Sequence, residues 1–158
     1  MQPEAKALLE LCKSKCIKLA TAESCTGGLI SAMLTDIPGS SSAFERGFVT
    51  YSNEAKVETL SVNPALITQH GAVSAVVATA MAQGALKHSK ADIAVSVTGI
   101  AGPDGGTPKK PVGTVFIAVA SSKGEAVEEC HFSGDRDAVR RQSALKAMGM
   151  LTNVILSL

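Results

Sequence analysis

The chain is poor in aromatic residues, with no tryptophan, one tyrosine and four phenylalanines among its 158 residues. That scarcity removes the stacking platform on which single-stranded nucleic acids are held. An excess of charge of one sign is missing too. Fifteen lysines and arginines face fourteen aspartates and glutamates, a formal net charge of +1. Neither nucleic acid nor an anionic membrane surface finds an electrostatic footprint here. No apolar run reaches the length of a bilayer span, and Met1–Leu11 lacks the basic-then-apolar layout of a secretory signal. The default compartment is the cytoplasm. The four cysteines (Cys12, Cys16, Cys25, Cys130) include no Cys-x-x-Cys pair, and His70, His88 and His131 do not cluster at ligand spacing. No zinc site is expected, and the thiols read as reduced and mostly core.

What is present is a globular composition, 46% hydrophobic and 18% charged. The length suits one domain, residues 1–158, with a core built from Ala, Val, Ile and Leu. Pro3–Lys15 reads as an amphipathic helix with Ala5, Leu8, Leu9, Cys12 and Cys16 on one face. A short strand over Ile17–Ala22 is followed by a predicted helix over Thr26–Thr35, closed by Pro38 and Gly39. Phe44–Tyr51 reads as a strand, and Asn53–Leu60 and Pro64–His70 as short helical pieces. Ser74 caps a small-residue helix running to about His88, whose Ala and Gly content implies close packing on a sheet. Ile93–Val97 and Val112–Ala120 are apolar strands, and Lys123-Gly124 turns the second into a charged edge strand, Glu125–Phe132. Gly134-Asp135 opens a last helix with Ala144, Met148, Leu151 and Ile155 inward. Strands alternating with helices, plus one late hairpin, give a three-layer α/β/α domain with a mixed, mostly parallel sheet. Exposed small-residue helices and an edge strand favour a homodimer.

Three polar islands follow apolar runs: Glu23-Ser24-Cys25-Thr26-Gly27-Gly28, Thr50–Lys56 and Thr98–Gly106. Polar segments at strand ends are where α/β domains place their sites. Ser24 stands at a strand-to-helix turn, beside main-chain N–H groups that a helix start leaves unpaired, which predicts a nucleophile next to an anion pocket. The glycines of Gly99–Gly106 are neither a Walker A loop, lacking Gly-Lys-Ser/Thr, nor a Gly-x-Gly-x-x-Gly dinucleotide fingerprint. Ser24 lacks the glycines of a Gly-x-Ser-x-Gly elbow, and Gly27 stands where a Ser-x-x-Lys enzyme needs lysine.

Taken together, Ala22–Gly28, Phe44–Lys56, Thr98–Gly106 and Gly134-Asp135-Arg136 resemble the CinA C-terminal domain family, over about Ala5 to Val154. Its stand-alone members are nicotinamide-nucleotide amidases. Its two-domain members carry an additional N-terminal domain for which this chain has no room. The resemblance implies hydrolysis of the carboxamide of nicotinamide mononucleotide by a Ser–Lys pair, here Ser24 and Lys56, with Tyr51 a further catalytic position. Thr98 matches a further active-site position and Arg136 the family's phosphate-binding arginine. On the residues' own chemistry, the main-chain N–H groups around Cys25–Gly28 can hold an oxyanion and Gly27 and Gly28 leave room for a ligand, so Thr26, Gly27, Gly28, Thr98, Gly99 and Arg136 are expected to bind substrate, with no metal or cofactor. Arg140 rivals Arg136 as the phosphate ligand, and Cys25 rivals Ser24 as nucleophile. The chemistry is coherent on its own terms. An amide needs an activated nucleophile, a base and oxyanion donors, and Lys56 can serve as base once it is neutral. Two other readings are a domain that binds a pyridine nucleotide without hydrolysing it and a competence-related interaction domain.

Overall fold

The computed structural model describes residues 2–158. Helix α1 (Gln2–Ser14) leads into strand β1 (Leu19–Glu23), helix α2 (Leu29–Thr35), a single 3-10 turn at Ser40–Ser42 and strand β2 (Phe44–Val49). Helices α3 (Asn53–Leu60), α4 (Pro64–His70) and α5 (Ala75–Lys87) precede strand β3 (Ile93–Gly99). The β4 (Thr114–Ser121) and β5 (Gly124–His131) hairpin and helix α6 (Arg136–Leu156) complete the chain. The sheet order is β2-β1-β3-β4-β5. β1 pairs parallel with both β2 and β3, whereas β4 runs antiparallel to β3 and β5. Strand β5 lies at the sheet edge with most of its residues exposed, as its charged positions anticipate. No helix of the described residues is long and apolar enough to cross a membrane.

Alternation along the strands sorts the core by residue size. Leu19, Ile93, Val95, Val97, Val115, Ile117 and Val119 point to one face and pack against α1, α2 and α6. Ala20, Ala22, Ala94, Ala118 and Ala120 point to the other, under α5, with Phe116 the one large strand residue among the buried cluster there. Large side chains hold the first layer of helices at normal distance, and alanines let α5 press close on the second. Gly84 of α5 takes this to its limit, because a Cβ there would overlap the carbonyl oxygen of Leu60. Gly84→Ala is therefore expected to destabilise the fold by about 1–3 kcal/mol, against the roughly 1 kcal/mol that helix propensity alone would add. The thermal unfolding midpoint of the variant measures which term wins.

Two expectations need correction. The predicted helix from Thr26 begins only at Leu29, because Gly27 (φ 58°) and Gly28 (φ 102°) adopt left-handed backbone that a right-handed helix cannot include. Cys16 does not share the buried face of α1. It lies past the helix end with φ 55°, exposed, while Ala5, Leu8, Leu9 and Cys12 are buried.

Candidate active site

The three parallel strands create the location. The chain leaves β1, crosses one face through α2 to reach β2, then returns across the other face through α3, α4 and α5 to β3. Connections after β1 and after β2 thus depart on opposite faces, and the crevice at the carboxyl ends of β1 and β3 is a topological switch point. Ser24 follows β1 directly and extends its ladder, its N–H donating to Val97 O (3.0 Å). Thr50, just past β2, donates its N–H to Glu23 O (2.9 Å) on the other side. Thr98 and Gly99 end β3 beside them.

Lys56 reaches this crevice from α3. Ser52 caps that helix by accepting the Ala55 N–H (3.0 Å). Lys56 and Leu60, four residues apart, form its buried stripe. Lys56 is 1% exposed, a rare state for lysine. Its Nζ lies 2.9 Å from Ser24 Oγ and donates to Thr50 O (3.0 Å), Tyr51 O (3.0 Å) and, at longer range, Ser52 O (3.4 Å). Loss of solvation pushes the amine below its ordinary pKa. A neutral amine has two N–H donors and one lone pair. Nζ donates to Thr50 O, Tyr51 O and Ser24 Oγ, and Ser24 O–H donates to Tyr51 O (3.4 Å); once the amine is neutral, its lone pair is the acceptor 2.9 Å from Ser24 Oγ. That arrangement makes a hydroxyl nucleophilic.

Cys25 is placed otherwise. It is buried in the core cluster beneath α2 and α6, where desolvation pushes its thiol up to about 11. A protonated, packed thiol is a poor nucleophile.

The predicted anion pocket at the start of α2 is taken by the protein itself. Glu23 is fully buried, and its carboxylate accepts from Ile30 N (2.8 Å), Ser31 N (3.0 Å) and Ser31 Oγ (2.8 Å). It replaces the side-chain cap that Gly28 cannot supply. The sequence reading missed this role of Glu23. An acidic residue at a strand end, six residues before a helix start that has no Ser, Thr, Asp or Asn cap, is the signal that was available.

With α2 already capped, the donors left for a ligand are in the turn itself. Ser24 O accepts from Gly27 N (3.0 Å) and Thr26 O from Leu29 N (3.0 Å), whereas the N–H groups of Cys25, Thr26 and Gly28 meet no acceptor among the described residues. Arg140, half-buried on α6, donates from Nε to Cys25 O (3.2 Å) and from Nη2 to Thr26 O (2.8 Å). Arg136, exposed at the first turn of α6, donates from Nη1 to Gly102 O (2.7 Å) and from Nη2 to Tyr51 Oη (3.1 Å). Tyr51 is 60% exposed, so its main chain serves Lys56 while its phenol stands at the rim. Thr98 is buried and its hydroxyl donates to Ala72 O (2.9 Å), tying the end of β3 to the segment before α5. Gly99 is needed for the close passage of β4, because a Cβ would come 2.9 Å from Thr114 O. The structure therefore gathers Ser24, Lys56, Tyr51, Thr26, Gly27, Gly28 and Arg136 around one crevice. Among the described residues, no group of three or more His, Cys, Asp or Glu residues is placed to hold a metal ion.

The profile of the CinA C-terminal domain matches residues 1–155, almost the whole chain. The chain belongs to this family. A CinA relative from Escherichia coli K12, the nicotinamide-nucleotide amidohydrolase PncC, is 57% identical over 141 residues, spanning 88% of this chain and 85% of that protein. The CinA-like protein of Syntrophotalea carbinolica is 55% identical over 135 residues, and there the match covers 85% of this chain but only 33% of the longer protein. Among solved CinA structures, the competence/damage inducible protein CihA from Agrobacterium tumefaciens superposes with a TM-score of 0.94 at 42% identity, covering 96% of this chain and 93% of that one.

Proposed function

We propose that this chain hydrolyses the carboxamide of nicotinamide mononucleotide to nicotinate mononucleotide and ammonia, with Ser24 as nucleophile and Lys56 as its base. The observation that carries the reading is the 2.9 Å contact between Ser24 Oγ and a lysine amine that is fully buried and depressed in pKa. Similarity to a relative named as a nicotinamide-nucleotide amidohydrolase supports the substrate class.

The steps follow from the geometry. Ser24 Oγ adds to the carboxamide carbon as its proton passes to Lys56 Nζ. The carbonyl oxygen becomes an oxyanion, and the free N–H groups of Cys25 and Thr26 are the donors within reach of Ser24. The tetrahedral centre collapses, the C–N bond breaks, and the Lys56 ammonium gives its proton to the departing nitrogen, which leaves as ammonia. Water then adds to the nicotinoyl ester while Lys56 takes its proton. Cleavage of the ester returns that proton to Ser24 Oγ and releases the carboxylic acid, which ionises to the carboxylate by giving its remaining proton to solvent. Gly27 and Gly28 leave the turn without side chains, so substrate can approach the main chain. Arg136 receives the phosphate at the rim and Tyr51 carries the phenol it already touches. Thr98 and Gly99 form the wall at the end of β3.

The direct test is ammonia release by the purified chain given nicotinamide mononucleotide. Turnover is the expected result, and no release at any pH between neutral and mildly alkaline would overturn the reading. Arg136→Ala tests the phosphate contact within it. Loss of a charge-assisted contact of about 1.5–3 kcal/mol should raise KM for the mononucleotide roughly ten- to hundredfold, and far less for the phosphate-free riboside. Equal effects on the two ligands would remove Arg136 from that role.

A further inference from the structure

The nucleophile turn is held almost entirely through its carbonyls. The Ser24 carbonyl is occupied by Gly27 N–H, and the next two, Cys25 and Thr26, are both gripped by the guanidinium of Arg140, 114 and more residues away in sequence. In a trans peptide the C=O of one residue and the N–H of the next point in opposite directions. Fixing the Ser24 and Cys25 carbonyls therefore aims the N–H groups of Cys25 and Thr26 the other way, and those are N–H groups without an acceptor. Gly27 supplies the left-handed backbone of the turn (φ 58°), and a Cβ there would only reach ordinary contact, 3.6 Å, with Arg140 Nη2.

We infer that Arg140 is a positioning residue that sets and polarises the oxyanion donors of the Ser24 turn, rather than a ligand for the phosphate, an inference that rests on the amidase reading above. Both of its bonded nitrogens hold the Ser24 turn itself, and it is half-buried, whereas Arg136, one helical turn earlier, is exposed and bonds Gly102 O and the Tyr51 phenol at the rim. A cation on a peptide oxygen also makes the N–H of the same peptide a stronger donor, and chains of such bonds reinforce one another. The planar fork spans two adjacent carbonyls, a task that a single ammonium cannot duplicate.

The test is a split of kcat against KM in Arg140→Ala and Arg140→Lys, assayed with nicotinamide mononucleotide and with the riboside. Because donor placement matters only once the oxyanion forms, Arg140→Ala should lose on the order of ten- to hundredfold in kcat while KM for either ligand changes little. Added guanidinium chloride, kept below denaturing concentration, should restore part of that kcat. Arg140→Lys keeps the charge but spans one carbonyl, so its kcat should fall between the two. This second variant carries the same split if the alanine variant does not fold. A KM rise confined to the phosphate-bearing ligand, with kcat intact, would overturn the inference and make Arg140 the phosphate residue. A lower melting temperature with unchanged kcat would overturn it in favour of a purely structural brace. Ser24→Ala is assayed in parallel. Full activity there would overturn the Ser24 nucleophile assignment, and no ammonia release by the unmodified chain would mean that the amidase reading itself has failed, each independently of what the Arg140 variants do.

Discussion

Ser24→Ala is expected to lose roughly 10⁴-fold or more in kcat, the scale on which removal of an activated nucleophile is felt, and to remain folded and able to bind nucleotide. The hydroxyl is small, and Lys56 keeps its two carbonyl acceptors at 3.0 Å when it is gone. The backbone of Ser24 stays paired to Val97. Ammonia release measures the loss, and ligand-induced thermal shift measures retained binding. Cys25→Ala is the matched control. A thiol pushed up to about 11 and packed in the core contributes no nucleophile, so that variant keeps most of its activity. If Cys25→Ala is inactive while Ser24→Ala turns over, the thiol is the nucleophile and the assignment is wrong.

Lys56→Ala should be nearly as damaging, and the Ser24→Ala/Lys56→Ala double variant little worse than either single one, because residues acting as one unit are strongly non-additive. Lys56→Arg should not rescue activity, since a permanently charged guanidinium cannot accept the proton. The pH dependence has a defined sign. Only the neutral amine is a base, and burial lowers the Lys56 pKa, so activity should rise with pH through an apparent value below that of free lysine. Stability follows the same direction. Between the lowered folded value and the ordinary unfolded one, the folded chain binds fewer protons than the unfolded chain. The Lys56 contribution is therefore greatest above the ordinary lysine range and is lost as pH falls through the folded value. A flat rate profile, or losses that multiply independently in the double variant, would count against the pair.

Much of this was legible before the structure. Alternating apolar runs and small-residue helices fixed the three-layer architecture, and polar islands at three strand ends located the crevice where Ser24 and Lys56 meet. Three features were not legible. The start of α2 moved to Leu29 because two consecutive glycines adopt left-handed backbone, a choice their sequence permits without dictating. Glu23 was read only as the edge of a motif, and its capping bonds span seven and eight residues through a turn whose path had to be known first. Arg136 and Arg140, one helical turn apart, share a face, and sequence spacing alone cannot say which one grips the Ser24 turn and which stands exposed at the rim beside Gly102 and Tyr51.

The bonds from Arg140 to Cys25 and Thr26 join the chain's last helix to the turn after its first strand, and this sets an order of assembly for the proposed site. During synthesis the segments bearing the hydroxyl, the amine and the end of β3 all leave the ribosome before residue 136. A nascent chain halted there holds the proposed nucleophile and base but has nothing to grip the two carbonyls. On the proposals above, full activity needs α6 in place, and in refolding the return of full-rate ammonia release should mark the docking of α6 rather than the formation of the parallel strands.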